Sequence, residues 1–432
     1  MESVSVSPEV GTAELSDPQL EFRLRVRTFL ETNVPRRRPS VDGHGVSQGG
    51  AHDSSPELVK AVQTYQAALF GAGLAGLTWP QEFGGQGLPA DAQRIFNEEA
   101  AYFEVPTRIL GIALGMCGPT ILVHGNDAQR RRFIEPMLRG DDIWCQLFSE
   151  PAAGSDIAAV QTRAVRDGDS WVVNGQKVWS SVAHHATWGL ALVRTDLDAP
   201  KHAGLTMMII DMHALGVEVR PLRQMDGGAN FNEVFFTDVV VPAEHVLGEI
   251  NDGWNVARTT LTNERYAVSG GRQGTTSIAA PVLRLVRDLG LEPSPLVRQR
   301  LAELYTMDFI LQQLQHRARY ARERGLPAGP EGSVAKLVNA ELQQRAAAIR
   351  LELVGFAGVA CDPDDEFVLA VMSAFVSSPA SRIGGGTDEV QKNIIGERVL
   401  GLPREPSSDR DVPFRQLIQR TVPCEPESAA QP

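Results

Sequence analysis

Apolar residues recur at helical spacing in the first and last parts of the 432-residue chain. The runs LEFRLRVRTFLETNV and AQRRRFIEPMLRG, for example, place apolar side chains three or four positions apart, and Gly or Pro residues separate successive runs. Between residues 143 and 250 the pattern changes to short β-branched runs such as LTMMIIDM and NEVFFTDVVVP. The chain is therefore predicted to form helices, then a small β domain, then helices again.

This order of elements predicts an α+β fold with several domains. We expect an N-terminal helical domain over 18–142, a central small antiparallel β domain over 143–250 and a C-terminal helical bundle over 251–404. Residues 405–432 form a predicted tail, loosely held from Asp409 onward because it is rich in Pro, Ser and Glu. A chain of this length is able to bury a large cofactor.

Composition excludes several classes of protein. The formal net charge of -12 argues against nonspecific nucleic-acid binding. No apolar run approaches the roughly twenty residues that a membrane span needs, and the start MESVSVSPEV lacks the basic and apolar regions of a secretory signal. The four cysteines lack the spacing of a metal site. We therefore expect a cytoplasmic protein with no membrane, nucleic-acid or metal partner.

The segment from Trp144 to Ser181 carries the strongest chemical signal. It begins with WCQLFSEPAAGSD, in which small residues ending at Asp156 allow backbone N–H groups to approach a planar or phosphorylated ligand. It ends with KVWSS, which closes a predicted strand. Between them, the Val-Val-Asn-Gly run at 172–175 predicts a strand that enters a tight hairpin turn. Both ends are thus expected in one antiparallel sheet, facing one ligand.

Four further strings stand in the same order as motifs of a known family. The strings are GLAGLTWPQEFGGQGLP (73–89), GPTILVHGNDAQRRRFIEPMLRGDDIWCQ (118–146), NEVFFTDVVVPAEHVLGEINDGW (232–254) and GGGTDEVQKNIIGERVLGLP (384–403). Together with the opening segment they make the chain resemble the acyl-CoA dehydrogenase family over roughly residues 18–404. The resemblance implies a C-terminal four-helix bundle and an FAD cofactor held without a dinucleotide-binding GxGxxG motif.

In this family the flavin ring lies between the β domain and the C-terminal helices. The positions that match its flavin contacts are Gln146, Phe148, Ser149, Gly154, Ser155, Trp179, Ser180, Ser181, Thr387 and Glu389. By resemblance, Trp179 would face the ring, Ser181 the reactive N5 edge and Ser155 the pyrophosphate or the pantetheine of the substrate. Taken alone, Trp179 is more simply a half-buried strand aromatic, but the flanking matches favour a flavin contact there. For Ser149 and Ser155 the alternative is turn capping.

The resemblance also implies a catalytic base that takes the α-proton of an acyl-CoA thioester. Many members place a Glu just before the Gly-Thr of the C-terminal motif, where this chain has Gly385. Isovaleryl-type and long-chain-type members instead carry a Glu before an Arg on an earlier helix, which matches Glu264 and Arg265 in LTNERY. No Lys or Arg stands three or four positions from Glu264, as a surface ion pair would require. Glu264 is therefore the candidate base, and an exposed helical carboxylate is the alternative.

The family further implies how the thioester would be held. The backbone N–H of Gly385 would polarise the thioester carbonyl, as in an oxyanion hole. The predicted substrate contacts are Ser155, Thr262, Asn263 and the supporting Arg265. Because Gly385 lacks a side chain, we expect room for branched, long or polycyclic acyl groups.

The motifs that hold the adenine side of FAD in relatives are altered in this chain. Residues 280–288 lack the Lys-x-x-Phe that often reaches FAD across a subunit interface, and residues 352–358 replace a Gln-x-x-Gly-Gly string. Arg284 or Arg287 is a possible substitute, although solvated helix charges explain both equally well.

Three functions consequently stay open at the level of the sequence. The first is FAD-dependent α,β-dehydrogenation of an acyl-CoA to the 2-enoyl-CoA, with hydride passing to flavin N5 and electrons to an electron-transfer flavoprotein, in a homodimer or homotetramer. The second is a partner subunit of a heteromeric acyl-CoA dehydrogenase with an incomplete flavin site of its own. The third is a flavin monooxygenase or oxidase on the same fold.

Overall fold

Helices, strands and helices follow one another along the chain, as the apolar pattern predicts. The computed structural model describes residues 16–36, 55–106, 108–268, 277–324, 329, 331–362, 364–406 and 409–421. The helices before the sheet are α1 (Asp17–Asn33), α2 (Pro56–Gly71), α3 (Ala90–Ala100), α4 (Gly118–His124) and α5 (Asp127–Arg139). Those after it are α6 (Gly253–Val268), α7 (Ala279–Asp288), α8 (Pro295–Glu323), α9 (Glu331–Val354), α10 (Glu366–Ser377), α11 (Asp388–Ile394) and α12 (Phe414–Thr421). The predicted α+β class is confirmed.

Helix α5 connects the N-terminal helices to the sheet. It begins at a capping box, in which the Asn126 side chain accepts from the Gln129 N–H and the Gln129 side chain accepts from the Asn126 N–H. Its apolar face carries Phe133, whose ring centroid lies 5.4 Å from that of Trp144 and 5.2 Å from that of Trp188. This aromatic cluster fixes the start of the first strand against the helical domain.

Among the described residues, eight strands form one sheet. They are β1 (Trp144–Leu147), β2 (Arg163–Asp167), β3 (Ser170–Lys177), β4 (Trp188–Arg194), β5 (Leu205–Asp211), β6 (Val217–Leu222), β7 (Phe231–Pro242) and β8 (Val246–Leu247). Their order is β6-β7-β3-β2-β4-β5-β8, with β1 paired to β4. The pairs are antiparallel except that β1, and one residue of β2, run parallel to β4. The sheet is thus mixed rather than antiparallel throughout, because the β2–β3 hairpin intervenes between β1 and β4.

The predicted hairpin turn at 172–175 is wrong. Asn174 and Gly175 lie inside β3, where the pairing register shifts between Val173 and Gly175. A Cβ on Gly175, whose φ is 149°, would stand 2.6 Å from the hydroxyl oxygen of Thr162. The glycine therefore permits a bulge and a close approach of β2 and β3, while the actual hairpin turn is at Gly168, whose φ is 57°.

Helix α6 is held between the sheet and the N-terminal helices. Val256 and Ala257 are buried in the core that the N-terminal helices share with one face of the sheet. Two hydrogen bonds join α6 to α4, between the hydroxyls of Thr120 and Thr260 (3.0 Å) and between His124 Nε2 and the Thr259 hydroxyl (2.8 Å). These contacts fix the direction of the helix that carries the candidate base.

A separate core joins the later helices to one another. It contains buried side chains of α7, α8 and α9, among them Val282, Leu304 and Ile349. Within the parts of the chain that the structure describes, no helix is both long and apolar enough to cross a bilayer.

The predicted tail, 405–432, is not loose along its whole length. The Phe414 N–H donates to the carbonyl of Ala199 (3.0 Å), and the Phe414 ring lies 3.8 Å from the guanidinium carbon of Arg194. Phe414 is buried by this packing against the β domain. Composition alone misses the contact, because it depends on a partner distant in sequence. Residues 422–432 lie outside the described part of the chain.

Candidate active site

The two ends of the predicted ligand-binding segment lie side by side. The backbone N–H of Val178, just after β3, donates to the carbonyl of Ser149, just after β1 (2.9 Å). The strings FSEPAAGSD and KVWSS therefore meet just beyond the ends of β1 and β3. The sequence prediction that both ends face a common region agrees with this contact.

A buried ion pair joins the same two strings. The Lys177 side chain is fully buried. Its ammonium donates to Phe148 O (3.0 Å), Glu150 Oε1 (2.8 Å) and Leu192 O (2.6 Å). Glu150 also accepts from the N–H groups of Gln161 (2.6 Å) and Thr162 (2.8 Å). Burial raises the pKa of Glu150, but Lys177 and these donors outweigh it and hold the pKa below its usual value.

Sequence reasoning missed the role of this pair, although both residues lie inside the quoted motifs. A Lys at an inward strand position is the available signal, because such a side chain is seldom fully buried unless it is paired.

The surface beside this pair is open. Gly154 and Ser155 are exposed, and nothing lies within 4 Å of the position that a Cβ on Gly154 would take. Trp179 is 61% exposed on a backbone with a φ of 60°, and its ring forms an edge-to-face contact with Phe231 at a centroid distance of 5.9 Å. A large exposed indole on such an unfavourable backbone is typical of a ligand-facing position.

Behind Trp179, the chain is fastened to β7. Ser180 and Asn232 exchange two backbone hydrogen bonds of 3.0 and 3.1 Å, and the Asn232 amide donates to the Ser180 carbonyl (2.9 Å). Both residues are buried, yet the Ser180 hydroxyl has no hydrogen-bond partner among the described residues. A buried polar atom without a protein partner commonly forms its hydrogen bond with a bound ligand or a water molecule. Ser181, which follows, is partly exposed.

Glu264, on the last turns of α6, meets two other predicted site residues. The Gln146 amide on β1 donates to Glu264 Oε2 (3.2 Å), and the backbone N–H of Gly385 lies close enough to lower the pKa of the same carboxylate. Burial raises the pKa of Glu264, and these donors together with Arg265 offset the shift only in part. The arrangement yields a half-buried carboxylate that is a stronger base than a surface glutamate.

The remaining predicted residues of α6 are Thr262, Asn263 and Arg265, next to Glu264 in the chain. Arg265 donates to the Thr262 hydroxyl (2.9 Å), and that hydroxyl donates to the carbonyl of Arg258 (2.8 Å). Burial lowers the pKa of Arg265, and the neighbouring Glu264 opposes the shift. Asn263 is partly exposed on the same turn.

Gly385 belongs to a turn that two glycines make possible. Gly385 and Gly386 have φ values of 69° and 89°, which side chains rarely tolerate. Thr387 follows as the N-cap of α11, where its hydroxyl accepts from the Val390 N–H (3.2 Å). Glu389 is exposed. The observed contact of Thr387 is thus a helix cap, and its flavin contact stays a prediction.

Comparison with known proteins identifies the fold that carries this site. Models of the acyl-CoA dehydrogenase N-terminal, middle and C-terminal domains match residues 16–141, 145–239 and 251–400. The chain belongs to the acyl-CoA dehydrogenase family. This acyl-CoA dehydrogenase is accordingly an oxidoreductase that acts on acyl-CoA, as the sequence predicts.

Curated relatives agree over most of the chain. It is 37% identical over 387 residues to the acyl-CoA dehydrogenase IpdE1 of Mycobacterium tuberculosis, which covers 89% of this chain and 98% of that protein. It is 37% identical over 391 residues to the acyl-CoA dehydrogenase FadE34 of the same organism, which covers 88% of this chain. The match spans only 52% of the length of FadE34.

Solved structures with similar folds include two assemblies. The Tcur3481-Tcur3483 steroid ACAD is matched with a TM-score of 0.76 at 26% identity, over 91% of this chain and 100% of that chain. The ChsE4-ChsE5 complex from Mycobacterium tuberculosis is matched with a TM-score of 0.72 at 28% identity, also over 91% and 100%. The three-domain architecture of this acyl-CoA dehydrogenase is therefore shared with solved members of its family.

Members of the family are flavoproteins, and the residues of this acyl-CoA dehydrogenase fit a flavin. Three observations agree with it: the exposed Trp179 ring, the open space beside Gly154 and the unsatisfied hydroxyl of Ser180. These three features suit, in that order, the flat ring, the phosphate-bearing chain and the hydrogen-bonding edge of a flavin cofactor.

Proposed function

We propose that this protein catalyses FAD-dependent α,β-dehydrogenation of an acyl-CoA, with Glu264 as the base. The observation that carries the proposal is the meeting of Glu264 with Gln146 and with the N–H of Gly385. A raised pKa keeps the carboxylate basic enough to accept the α-proton of a thioester. Because Gly385 has no carboxylate, Glu264 on α6 is the proposed catalytic base.

The chain's own residues supply binding, orientation and proton transfer. FAD, when bound, supplies the acceptor for the hydride that leaves the β-carbon. We assign its contacts to Gln146, Phe148, Ser149, Gly154, Ser155, Trp179, Ser180, Ser181, Thr387 and Glu389. Glu264 would take the α-proton, while the Gly385 N–H stabilises negative charge on the thioester oxygen. Arg265 keeps its positive charge and supports the carboxylate rather than exchanging a proton.

We further propose a bulky substrate, of the branched or polycyclic kind. Gly385 leaves space where many relatives carry a glutamate side chain, and a solved structure with the same fold is a steroid ACAD. Ser155, Thr262, Asn263 and Arg265 are the proposed substrate contacts. An electron-transfer flavoprotein is the proposed electron acceptor, and the cytoplasmic location stays a prediction.

The test is anaerobic reduction of the flavin in the purified chain. We expect a yellow protein whose visible absorbance is bleached by polycyclic acyl-CoAs, more readily than by short straight-chain acyl-CoAs. Glu264→Gln should retain the yellow colour and slow bleaching by about 10²- to 10⁴-fold, because general base catalysis contributes that much. Equal bleaching in the variant would remove Glu264 from the role. Bleaching by short straight chains alone would overturn the substrate class.

A specific observation also favours association with a second subunit. Phe356 and Val359 are 92% and 82% exposed, and Phe356 lies within the string 352–358 that replaces the adenine-side motif of relatives. Large apolar side chains this exposed are typical of an interface. The partner would be a second copy in a homodimer or homotetramer, or a different chain in a heteromer. Native mass spectrometry and the visible spectrum distinguish them, because a stable, colourless lone chain would indicate a heteromer.

The third function that the sequence leaves open differs from dehydrogenation in whether it needs Glu264. A flavin monooxygenase or oxidase would not require this carboxylate, and its reduced flavin would react rapidly with oxygen. Mixing the bleached protein with aerated buffer therefore separates the two functions. Slow return of the yellow colour is expected for the dehydrogenase, and rapid return would favour the oxidase or monooxygenase.

A further inference from the structure

Lys336, on α9, has a side chain that is only 1% exposed. Its ammonium donates to the carbonyl of Gly386 (2.6 Å) and lies 3.9 Å from Asp388 Oδ1. Removing an ammonium from water costs several kcal/mol unless partners compensate. The buried cation is therefore directed at the turn that follows Gly385.

That turn has little stiffness of its own, because glycine permits many backbone conformations. Two side chains hold its successive carbonyls: the Gln391 amide donates to Gly385 O (2.9 Å) and Lys336 donates to Gly386 O (2.6 Å). The N–H of Gly385, next to these carbonyls, faces the Glu264 carboxylate closely enough to lower its pKa. The direction of this N–H thus depends on anchors in α9 and α11.

We propose that Lys336 is a positioning residue for the dehydrogenation proposed above, on which this inference rests. By holding the Gly386 carbonyl, it keeps the Gly385 N–H directed into the site that Glu264 serves. Its positive charge also stabilises the ionised form of Glu264. Neither effect requires Lys336 to touch the substrate.

The electrostatic surroundings agree with this role. Burial lowers the pKa of Lys336, and Glu264 is among the carboxylates that oppose the shift. Lys336 in turn lowers the pKa of Glu264 against the effect of burial. The other charged groups acting on either side chain are Arg265 on α6, Arg382 before α11, and Asp388 and Glu389 on α11.

The test compares Lys336→Met, which removes charge and donor, with Lys336→Gln, which removes the charge but keeps a donor one bond shorter. In the full-length protein with FAD, Lys336→Met should lower the rate of flavin reduction at saturating acyl-CoA by about 10- to 100-fold, since small misplacements are that costly. Lys336→Gln should fall between wild type and Lys336→Met. Both should move the pH profile of the rate upward.

A second readout needs no turnover. The pKa of Glu264, followed by ¹³C NMR of its carboxyl group and assigned with Glu264→Gln, should rise in both Lys336 variants. If Lys336→Met does not fold, Lys336→Gln still decides the question. An unchanged Glu264 titration would overturn the proposal. Absence of flavin reduction in the wild-type protein would instead overturn the proposed function, and the titration would still test Lys336.

Asp388→Asn is the matched control. It removes the carboxylate 3.9 Å from Lys336 but leaves the Gly386 carbonyl in place. We expect it to lower thermal stability while keeping the rate and its pH profile near wild type. Equal changes in Asp388→Asn and Lys336→Met would show that Lys336 serves only as an ion-pair partner, which contradicts the proposal.

Discussion

On the β-domain side of the candidate active site, a buried ion pair joins the segments that we expect to hold the flavin. On the helical side, a glycine turn is held by side chains that donate to its carbonyls. The first arrangement fixes Phe148 and Glu150 to β3 through Lys177, which has no exposed surface. The second leaves the Gly385 N–H dependent on Gln391 and on α9. The β-domain side is thus held by a buried charge, whereas the glycine turn depends on single side chains for its geometry.

The largest expected effect on stability lies on the β-domain side. Lys177→Met leaves the buried Glu150 carboxylate without its cation, which should lower the free energy of unfolding by about 3–5 kcal/mol. Urea denaturation followed by circular dichroism measures the loss. The double variant Lys177→Met with Glu150→Gln removes both charges and should recover part of it. A single-variant loss below about 1 kcal/mol would mean that the pair does not stabilise this side.

A smaller effect is expected in the glycine turn. Gly386→Ala places a Cβ 2.5 Å from the Gln391 amide nitrogen at a φ of 89°, so we expect a loss of about 1–3 kcal/mol. The matched control is Gly384→Ala, whose Cβ would meet the Ala380 carbonyl at 3.5 Å, an ordinary contact. That variant should stay within about 0.5 kcal/mol of wild type. Equal losses in the two variants would contradict the importance of the left-handed conformation.

The two sides of the candidate active site also differ in how many of their contacts the sequence predicts. The motifs FSEPAAGSD and KVWSS predict a shared ligand-facing region, and the Val178–Ser149 hydrogen bond brings them together. The sequence did not predict the contacts of Lys177, since an ion pair between separate strands is not visible in periodicity. The Asn-Gly pair at 174–175 predicts a turn, whereas the structure has a bulge inside β3.

For the helical side, the resemblance suggested Glu264 and Gly385 as one site. Their proximity is a tertiary contact between α6 and the turn before α11. Composition and periodicity contain no information about such a pairing, nor about the anchoring of Gly386 by Lys336. The matching motifs predict that the residues share one site, and the packing of α6, α9 and α11 determines their contacts.

The smallest expected effect is on the pH dependence of the rate. It concerns the contact between Gln146 on the β-domain side and Glu264 on the helical side. Gln146→Leu removes the amide that donates to Glu264 Oε2 at 3.2 Å, so the already raised pKa of Glu264 should rise further. Because Glu264 must be ionised to act as a base, the rate of flavin reduction should increase with pH, and its midpoint should move upward in the variant. Stopped-flow reduction across a pH series measures the midpoint.

The contribution of Glu264 to the free energy of unfolding should also depend on pH, but it should decrease as the pH rises, whereas the rate increases. A carboxyl whose pKa is higher in the folded state binds its proton more tightly there, so its stabilising effect is complete below the unfolded pKa. It is lost as pH rises through the folded pKa, and in Gln146→Leu the loss should extend to higher pH. Gln176→Leu is the control, because its amide donates to Glu233 (2.8 Å) rather than to Glu264. An upward shift of the midpoint in Gln176→Leu, or no shift in Gln146→Leu, would contradict the expected effect of Gln146 on the pKa of Glu264.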